Sequence, residues 1–227
     1  MKTLDLTSEH RHVRVYEAAA SATAPVVYFI DYNENGEALL HECDLLGCPP
    51  FNLAFISHLN WDAELTPWRA TGRIISPADD FAGGADDLLQ VITADIVPRV
   101  EATLGWQPTW RVLGGYSLSG LFAVYAAFNT SVFHAIVSAS GSMWYPGIVD
   151  YGNSHAPAPA VQRAYLSVGD KETRPGHPYL KNTLDNTRLV EQLLHDRGIT
   201  TRLDLNPGNH FTQVTWRQAR GIHWVLS

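Results

Sequence analysis

Short apolar runs alternate along the chain with longer segments of helical periodicity. Continuous apolar runs at residues 24–30 and 52–56 are typical of strands that are covered on both faces. Apolar residues in the segment 86–104 are spaced for one broad helical face, and Pro98 predicts a kink or a split there. Further strands are predicted at 13–16, 110–113, 134–138, 164–168 and 200–205. Further helices are predicted at 121–128, at 185–197 with Gly198 as its C-cap, and at 212–226.

This alternation predicts an α/β fold with a mostly parallel central sheet and helices on both faces. No internal repeat or long linker divides the sequence, so we expect one domain over residues 1–227. In such sheets the ligand site lies at the carboxyl ends of the strands. The polar residues that follow each strand are therefore the candidates for chemistry.

Composition and charge narrow the classes of partner. The chain has 227 residues, 45% hydrophobic and 17% charged, which is typical of a globular protein with a large core. The formal net charge is −7 and no run of Lys or Arg occurs, so nucleic acid is not expected as a partner. No apolar signal segment or membrane-spanning run is found. A cytoplasmic location without membrane contact is predicted, with a processed secreted form as the alternative.

Cysteine and histidine spacing gives no sign of a metal or a cofactor. Cys43 and Cys48 are too few for a disulfide framework or a zinc site and are expected to be reduced thiols. His10 and His12 form a His-x-His pair without a third ligand nearby in the sequence, which we interpret as a solvated strand face. Neither a Gly-x-Gly-x-x-Gly segment nor a P-loop is present, so no cofactor is expected.

Ser117 lies in the segment Gly-Tyr-Ser-Leu-Ser-Gly, directly between a predicted strand and a predicted helix. A tight strand-to-helix turn of this kind is a nucleophile elbow, which exposes the hydroxyl of its central serine. Small residues are needed two positions before and after the serine. Gly115 fits that need, and Ser119 stands where glycine is usual. The alternative is a glycine-rich helix start in which Ser117 only caps the helix.

A base and an acid follow the serine in the chain. His210 comes after the last predicted strand, in a segment whose proline and glycine supply a loop that can reach over the elbow. After the strand at 164–168, either Asp170 or Glu172 could orient the imidazole and stabilise its cation. Glu172 is favoured because it stands at the acid position of a Gly-x-x-acid pattern. The order nucleophile, acid, base is that of α/β-hydrolases; for His210, an ordinary surface histidine is the alternative.

Five segments carry a resemblance to a known family: 116–123, 138–146, 165–172, 185–188 and 207–211. The chain resembles the Putative esterase family of α/β-hydrolases, which includes esterase D, feruloyl esterases and the enterobactin-type siderophore esterases. The resemblance spans residues 24–227 and is greatest to the siderophore-esterase branch. It implies a lightly covered serine hydrolase that acts on carboxylic esters. Members take their acid from Gly-x-x-Glu or Gly-x-x-Asp, which supports Glu172, and some use serine and histidine alone.

The oxyanion hole requires two backbone donors. One is expected to be the N–H of Leu118, directly after the nucleophile. The resemblance places the second in the loop after the strand 24–30, where residues 31–33 match a His-Gly-x or Ser-Gly-x segment of related esterases. This match makes the Asn33 N–H the donor, and Tyr32 is the alternative because the usual glycine is absent.

Aromatic residues in loops after other strands are candidates for the substrate pocket. Trp61, Trp144 and Tyr145 suit an aryl or otherwise apolar acyl group, with core packing as the alternative. Together these residues predict a serine esterase that acts on a small-molecule ester. Ser117 attacks the carbonyl, His210 takes the proton, and water then cleaves the acyl-enzyme. The alternatives are acyl transfer by the same machinery and a non-catalytic binding module.

Overall fold

The computed structural model describes residues 1–70 and 81–227. Its strands are β1 (Lys2–Ser8), β2 (Arg11–Glu17), β3 (Val26–Ile30), β4 (Asn52–Ser57), β5 (Arg111–Tyr116), β6 (Ala135–Ala139), β7 (Arg163–Gly169) and β8 (Thr200–Asn206). They form an eight-stranded sheet in the order β1-β2-β4-β3-β5-β6-β7-β8. The strands from β4 to β8 in that order are parallel, and β1 and β2 form an antiparallel hairpin at one edge.

Helices cover both faces of this sheet. They are α1 (Gly36–Leu45), α2 (Trp61–Glu64), α3 (Ala85–Val91), α4 (Val97–Leu104), α5 (Leu118–Asn129), α6 (Ile148–Ser154), α7 (Thr183–His195) and α8 (Val214–Leu226). Apolar residues of α1 and α8 share one core, whereas those of α3 to α7 share the other. Among the described helices, none has the length and apolar character needed to cross a membrane.

The residues of β3 show how the two cores are separated. Val26, Tyr28 and Ile30 contribute to the core on the α5 side. Val27 and Phe29 contribute to the core on the α8 side. Successive side chains of a strand point to opposite faces, so a strand buried on both sides must be apolar throughout. The predicted mostly parallel sheet with helices on both faces is confirmed.

The predicted break near Pro98 takes the form of a π-helical turn, Ile92–Ile96, which joins α3 to α4. Pro98 lies in the first turn of α4, where a missing N–H removes no bond that the α-helix needs. The helical segment therefore changes its hydrogen-bonding pattern just before the proline and continues.

The strand register brings the functional loops together. Ile30 at the end of β3 pairs with Gly115 near the end of β5, and Gly115 pairs with Ser138 of β6. At the other side, Gly169 at the end of β7 pairs with Asn206 at the end of β8. The loops that follow these strands therefore leave the same edge of the sheet.

Candidate active site

Ser117 is the single residue between β5 and α5, and its backbone is strained. Its φ is 63° and its ψ is −121°, a combination that a residue with a side chain rarely adopts. Neighbouring backbone holds it there, because the Ser117 N–H donates to the Ala139 carbonyl at 3.2 Å and the Ser142 N–H donates to the Ser117 carbonyl at 3.0 Å. The predicted nucleophile-elbow conformation thus has the backbone geometry of a sharp strand-to-helix turn.

The small residues around the elbow have distinct functions. A Cβ on Gly115 would lie 2.5 Å from the Ser119 backbone, so only glycine fits there. Ser119, in the usual glycine position, is completely buried and uses its hydroxyl. The hydroxyl oxygen accepts the Tyr116 N–H at 2.8 Å and lies 2.8 Å from the Ile30 carbonyl, to which it can donate. Ser119 therefore connects the elbow to the end of β3.

The structure brings His210 between the serine and an acid. His210 Nε2 lies 3.0 Å from Ser117 Oγ, and Nδ1 lies 2.7 Å from Glu172 Oε2. Tyr116, the residue before the serine, donates its hydroxyl proton to the His210 carbonyl at 2.7 Å, so it fixes the histidine loop. Ser117, His210 and Glu172 therefore form a continuous hydrogen-bonded series.

Glu172 is almost completely buried, and each of its oxygens is occupied. Oε2 faces His210, while Oε1 accepts the Gly169 N–H at 2.6 Å and lies 3.0 Å from Arg217 Nη1. Burial raises the pKa of Glu172, but the hydrogen bond from His210, attraction to that histidine and the Gly169 N–H outweigh it. The pKa of Glu172 is therefore held below its ordinary value. The carboxylate is stabilised in its charged form.

Arg217 of α8 was not identified from the sequence. Its side chain is fully buried, and its guanidinium donates to Ser140 Oγ at 2.9 Å and to the Pro207 carbonyl at 3.0 Å in addition to Glu172. A buried charge of this kind requires a partner, which Glu172 supplies, although Arg217 Nε has no hydrogen-bond partner among the described residues. Arg217 thus joins the acid, the loop after β6 and the loop that carries His210.

Asp170, the other candidate acid, contacts the histidine loop by a different route. Its Oδ1 accepts the Gly208 N–H at 2.8 Å. In the same turn the Lys171 N–H donates to the Gly208 carbonyl at 3.1 Å. Asp170 therefore braces the loop before His210, whereas Glu172 contacts the imidazole itself.

The two candidate oxyanion donors differ in their surroundings. Leu118 is the first residue of α5, so its N–H is one of the helix-start donors without a partner inside the helix. The Asn33 N–H donates to Asp31 Oδ1 at 3.2 Å. The other oxygen of Asp31 accepts from the Gln218 amide, and burial raises the pKa of Asp31. In this conformation, therefore, the Asn33 N–H is engaged with Asp31.

Ser142 is a further polar neighbour of the serine. Its hydroxyl is 3.4 Å from Ser117 Oγ and its side chain is completely buried. Ser142 follows β6 and precedes Trp144. From the sequence it belongs only to the segment 138–146, which carries part of the family resemblance, and no function is predicted for it. Its hydroxyl can share a proton with Ser117.

A cleft of about 330 Å³ opens beside Ser117. It is lined by Ser117, Trp144, Lys171, Glu172, Arg174, Leu180, Thr183, Asn209, His210 and Phe211. Of the three aromatic residues predicted for the pocket, Trp144 lies in this lining. Tyr145 is instead buried in the core and bonds the Trp68 carbonyl, and the Trp61 ring packs edge-on against Tyr32 at 5.5 Å between ring centroids.

The strand order and the sharp turn at Ser117 define an α/β-hydrolase fold. The chain belongs to the Putative esterase family, whose model matches residues 59–219, more than half of the 227 residues. The family predicted from the sequence is confirmed.

Two relatives are similar to this chain in sequence. The apo-salmochelin esterase of Escherichia coli O6:H1 is 29% identical over 159 residues, which cover 62% of this chain and 50% of the relative. The uncharacterized protein YbbA of Bacillus subtilis is 31% identical over 142 residues, covering 60% and 56% respectively. The chain spans about half the length of these two relatives.

Solved structures share the fold. An IroE-like serine hydrolase from Shewanella oneidensis superposes with a TM-score of 0.79 at 18% identity, covering 99% of this chain and 79% of the other. The siderophore hydrolase EstA from Aspergillus nidulans gives a TM-score of 0.76 at 18% identity, covering 99% and 93%. At 18% identity, the similarity to these two structures shows a shared fold.

Proposed function

We propose that the chain is a serine esterase that hydrolyses carboxylic esters through an acyl-enzyme. One observation carries the proposal: His210 lies within hydrogen-bond distance of both Ser117, at 3.0 Å, and Glu172, at 2.7 Å, beside an open cleft. A nucleophile, a base and a group that orients the base are the parts that acyl transfer needs. Family membership supports the same reaction.

In the proposed mechanism, Ser117 Oγ attacks the ester carbonyl while its proton passes to His210 Nε2. The Glu172 carboxylate stabilises the imidazolium that forms. The developing oxyanion is held by the Leu118 N–H and by a second donor in the loop after β3, for which the Asn33 N–H can exchange its long bond to Asp31. His210 returns the proton to the departing alcohol.

Deacylation repeats these steps with water as the nucleophile. Water enters through the open cleft, His210 takes one of its protons, and the tetrahedral intermediate collapses to release the acid and restore Ser117. The hydrogen bonds of Glu172 with His210 and the Gly169 N–H favour the charged acid, and Arg217 contacts the same carboxylate at 3.0 Å.

The cleft supports an anionic aromatic acyl group as the preferred substrate. Lys171 and Arg174 supply positive charge to its lining, and Trp144 and Phe211 supply aromatic faces. The names of an apo-salmochelin esterase and a siderophore hydrolase among similar proteins support siderophore esters as candidate substrates.

Turnover of p-nitrophenyl butyrate and labelling by a fluorophosphonate test the reaction. We expect wild-type protein to turn over the ester and to be labelled once, and Ser117→Ala to lose both properties. Labelling at Ser119, or no reaction with either reagent while a control hydrolase reacts, would contradict the proposal. For the substrate class, the kcat/KM ratio of a 4-carboxybenzoyl ester to a benzoyl ester should exceed one and fall in Arg174→Ala, because only the first ester carries a negative charge near pH 7.

A further inference from the structure

A group of His and Glu side chains outside the cleft lies where three elements meet at the sheet edge. His12 is on β2, Glu34 follows β3, and His58 follows β4. One ligand atom of each lies within 4.8 Å of the other two. His12 Nδ1 is 2.6 Å and His58 Nε2 is 3.2 Å from the same Glu34 oxygen. These side chains are separate from those that line the cleft beside Ser117.

Asp5 orients the ring of His12. Its Oδ1 lies 2.8 Å from His12 Nε2, and in the neutral imidazole with its proton on Nε2 the Nδ1 lone pair is directed at Glu34. A carboxylate on the far nitrogen is the arrangement that commonly surrounds a metal-bound histidine. Asp5 is held in turn by Arg14, whose Nε donates to Oδ1 at 2.8 Å. The ring is thus supported from outside the cluster in the way a ligand requires.

We propose that His12, Glu34 and His58 bind a divalent transition-metal ion, with Zn²⁺ as the best fit. Two imidazoles and a carboxylate form a common zinc ligand set that leaves one position to water. Donor atoms in a tetrahedral zinc site with bonds of about 2.05 Å are about 3.3 Å apart. The 3.2 Å between His58 and Glu34 matches this spacing. The shorter His12 contact can lengthen because the Glu34 side chain is 43% exposed.

The proposed site changes the interpretation of the His-x-His pair. His10 is not part of it, because its Nε2 lies 2.8 Å from Glu64. His12 contributes alone from that pair, and its two partner ligands come from distant parts of the sequence. A bound ion would connect β2 to the loops after β3 and β4. Glu34 adjoins Asn33, the expected oxyanion donor, so a bound ion would also restrain that loop, whereas zinc binding itself is tested without the esterase reaction.

Zinc binding to the full chain after chelator treatment tests the proposal. We expect isothermal titration to show one Zn²⁺ per chain with micromolar or tighter affinity, and Co²⁺ to give visible absorption bands of a low-coordinate site. Binding should also raise the Tm, since the ion binds the folded chain in preference to the unfolded one. Failure of the wild-type protein to bind zinc at 100 μM would overturn the proposal. His12 would then be an imidazolium that is held between the carboxylates of Asp5 and Glu34.

Variants separate this site from adventitious binding by surface histidines. His58→Asn removes a ligand and tolerates the positive φ of 60° at this position, and Glu34→Gln removes the carboxylate. Each should weaken zinc binding at least tenfold and abolish the cobalt bands while circular dichroism stays unchanged. His10→Ala is the matched control and should bind like wild type. Equal affinity in wild type and both ligand variants would overturn the proposal.

Discussion

The guanidinium of Arg217 lies against the carboxylate of Glu172, with Nη1 3.0 Å from Oε1 and the two side chains 0% and 5% exposed. The same carboxylate contacts His210 through its other oxygen. Helix α8 therefore supports Glu172 through the oxygen that does not face His210. Arg217 lies 45 positions after Glu172 in the sequence. Glu172 is fixed on both sides before any substrate is bound.

We expect Arg217→Met to reduce the free energy of unfolding by about 3–5 kcal/mol, because it leaves the Glu172 charge buried without its partner. Arg220→Met is the matched control on the same helix. Arg220 pairs with Asp204 at 2.7 Å but its side chain is 32% exposed, so its loss should cost about 1 kcal/mol or less. Urea denaturation of both variants gives the comparison, and equal losses would contradict the role of burial.

Glu172→Gln should lower kcat by about 10²–10⁴-fold with little loss of secondary structure, because an amide cannot stabilise the imidazolium. Asp170→Asn should lower kcat only a few-fold, since Asp170 acts through the Gly208 N–H and not on the imidazole. Steady-state kinetics with Tm values for both variants decide between the acids. A severe loss in Asp170→Asn alone would assign the acid to Asp170, and near-normal rates in both would indicate a serine–histidine dyad.

The lowered pKa of Glu172 predicts a specific pH dependence of stability. A carboxyl group whose pKa is lower in the folded chain stabilises the fold above its unfolded pKa of about 4.3, and that contribution is lost as pH falls through the folded pKa. The difference in unfolding free energy between wild type and Glu172→Gln should therefore shift against wild type as the pH falls from about 5 to below about 4. Urea denaturation from pH 3 to 7 measures it. A difference that does not vary with pH would contradict the prediction.

Tyr116→Phe should lower kcat several-fold, because it removes the bond to the His210 carbonyl and loosens the histidine loop. A single hydrogen bond of this kind contributes about 0.5–1.5 kcal/mol to the stability of the folded arrangement. Tyr151→Phe removes a hydroxyl bonded to Asn129 away from the cleft and should leave kcat unchanged. Comparable effects in the two variants would show that Tyr116 does not position the base.

Much of the fold could be predicted from apolar runs. The run 24–30 contains β3, and the run 52–56 ends one residue before β4 does. The hairpin strand Lys2–Ser8 was missed, although Leu4 and Leu6 alternate with polar residues, because a half-buried edge strand gives a short signal. Helix α1 was also missed, since its apolar residues do not gather clearly on one face.

The site could be predicted only where position along the chain determines contact. Ser117, Glu172 and His210 follow strand ends, and parallel strands bring such positions together. Arg217 gave no signal, because an arginine in an amphipathic helix usually lies in solvent. Tyr145 is predicted to line the pocket, but its side chain is buried in the core. The position of a residue in a loop does not determine the direction in which its aromatic ring points.

The buried hydroxyl of Ser119 accepts the Tyr116 N–H and lies 2.8 Å from the Ile30 carbonyl, so the nucleophile turn and the end of β3 are in direct polar contact. Folding thus positions the nucleophile turn against β3, whereas the Asn33 N–H still has to exchange its bond to Asp31 when the oxyanion forms. A shortened ester that does not promote this exchange should lose kcat as well as affinity, and steady-state kinetics on esters of decreasing length measures the effect.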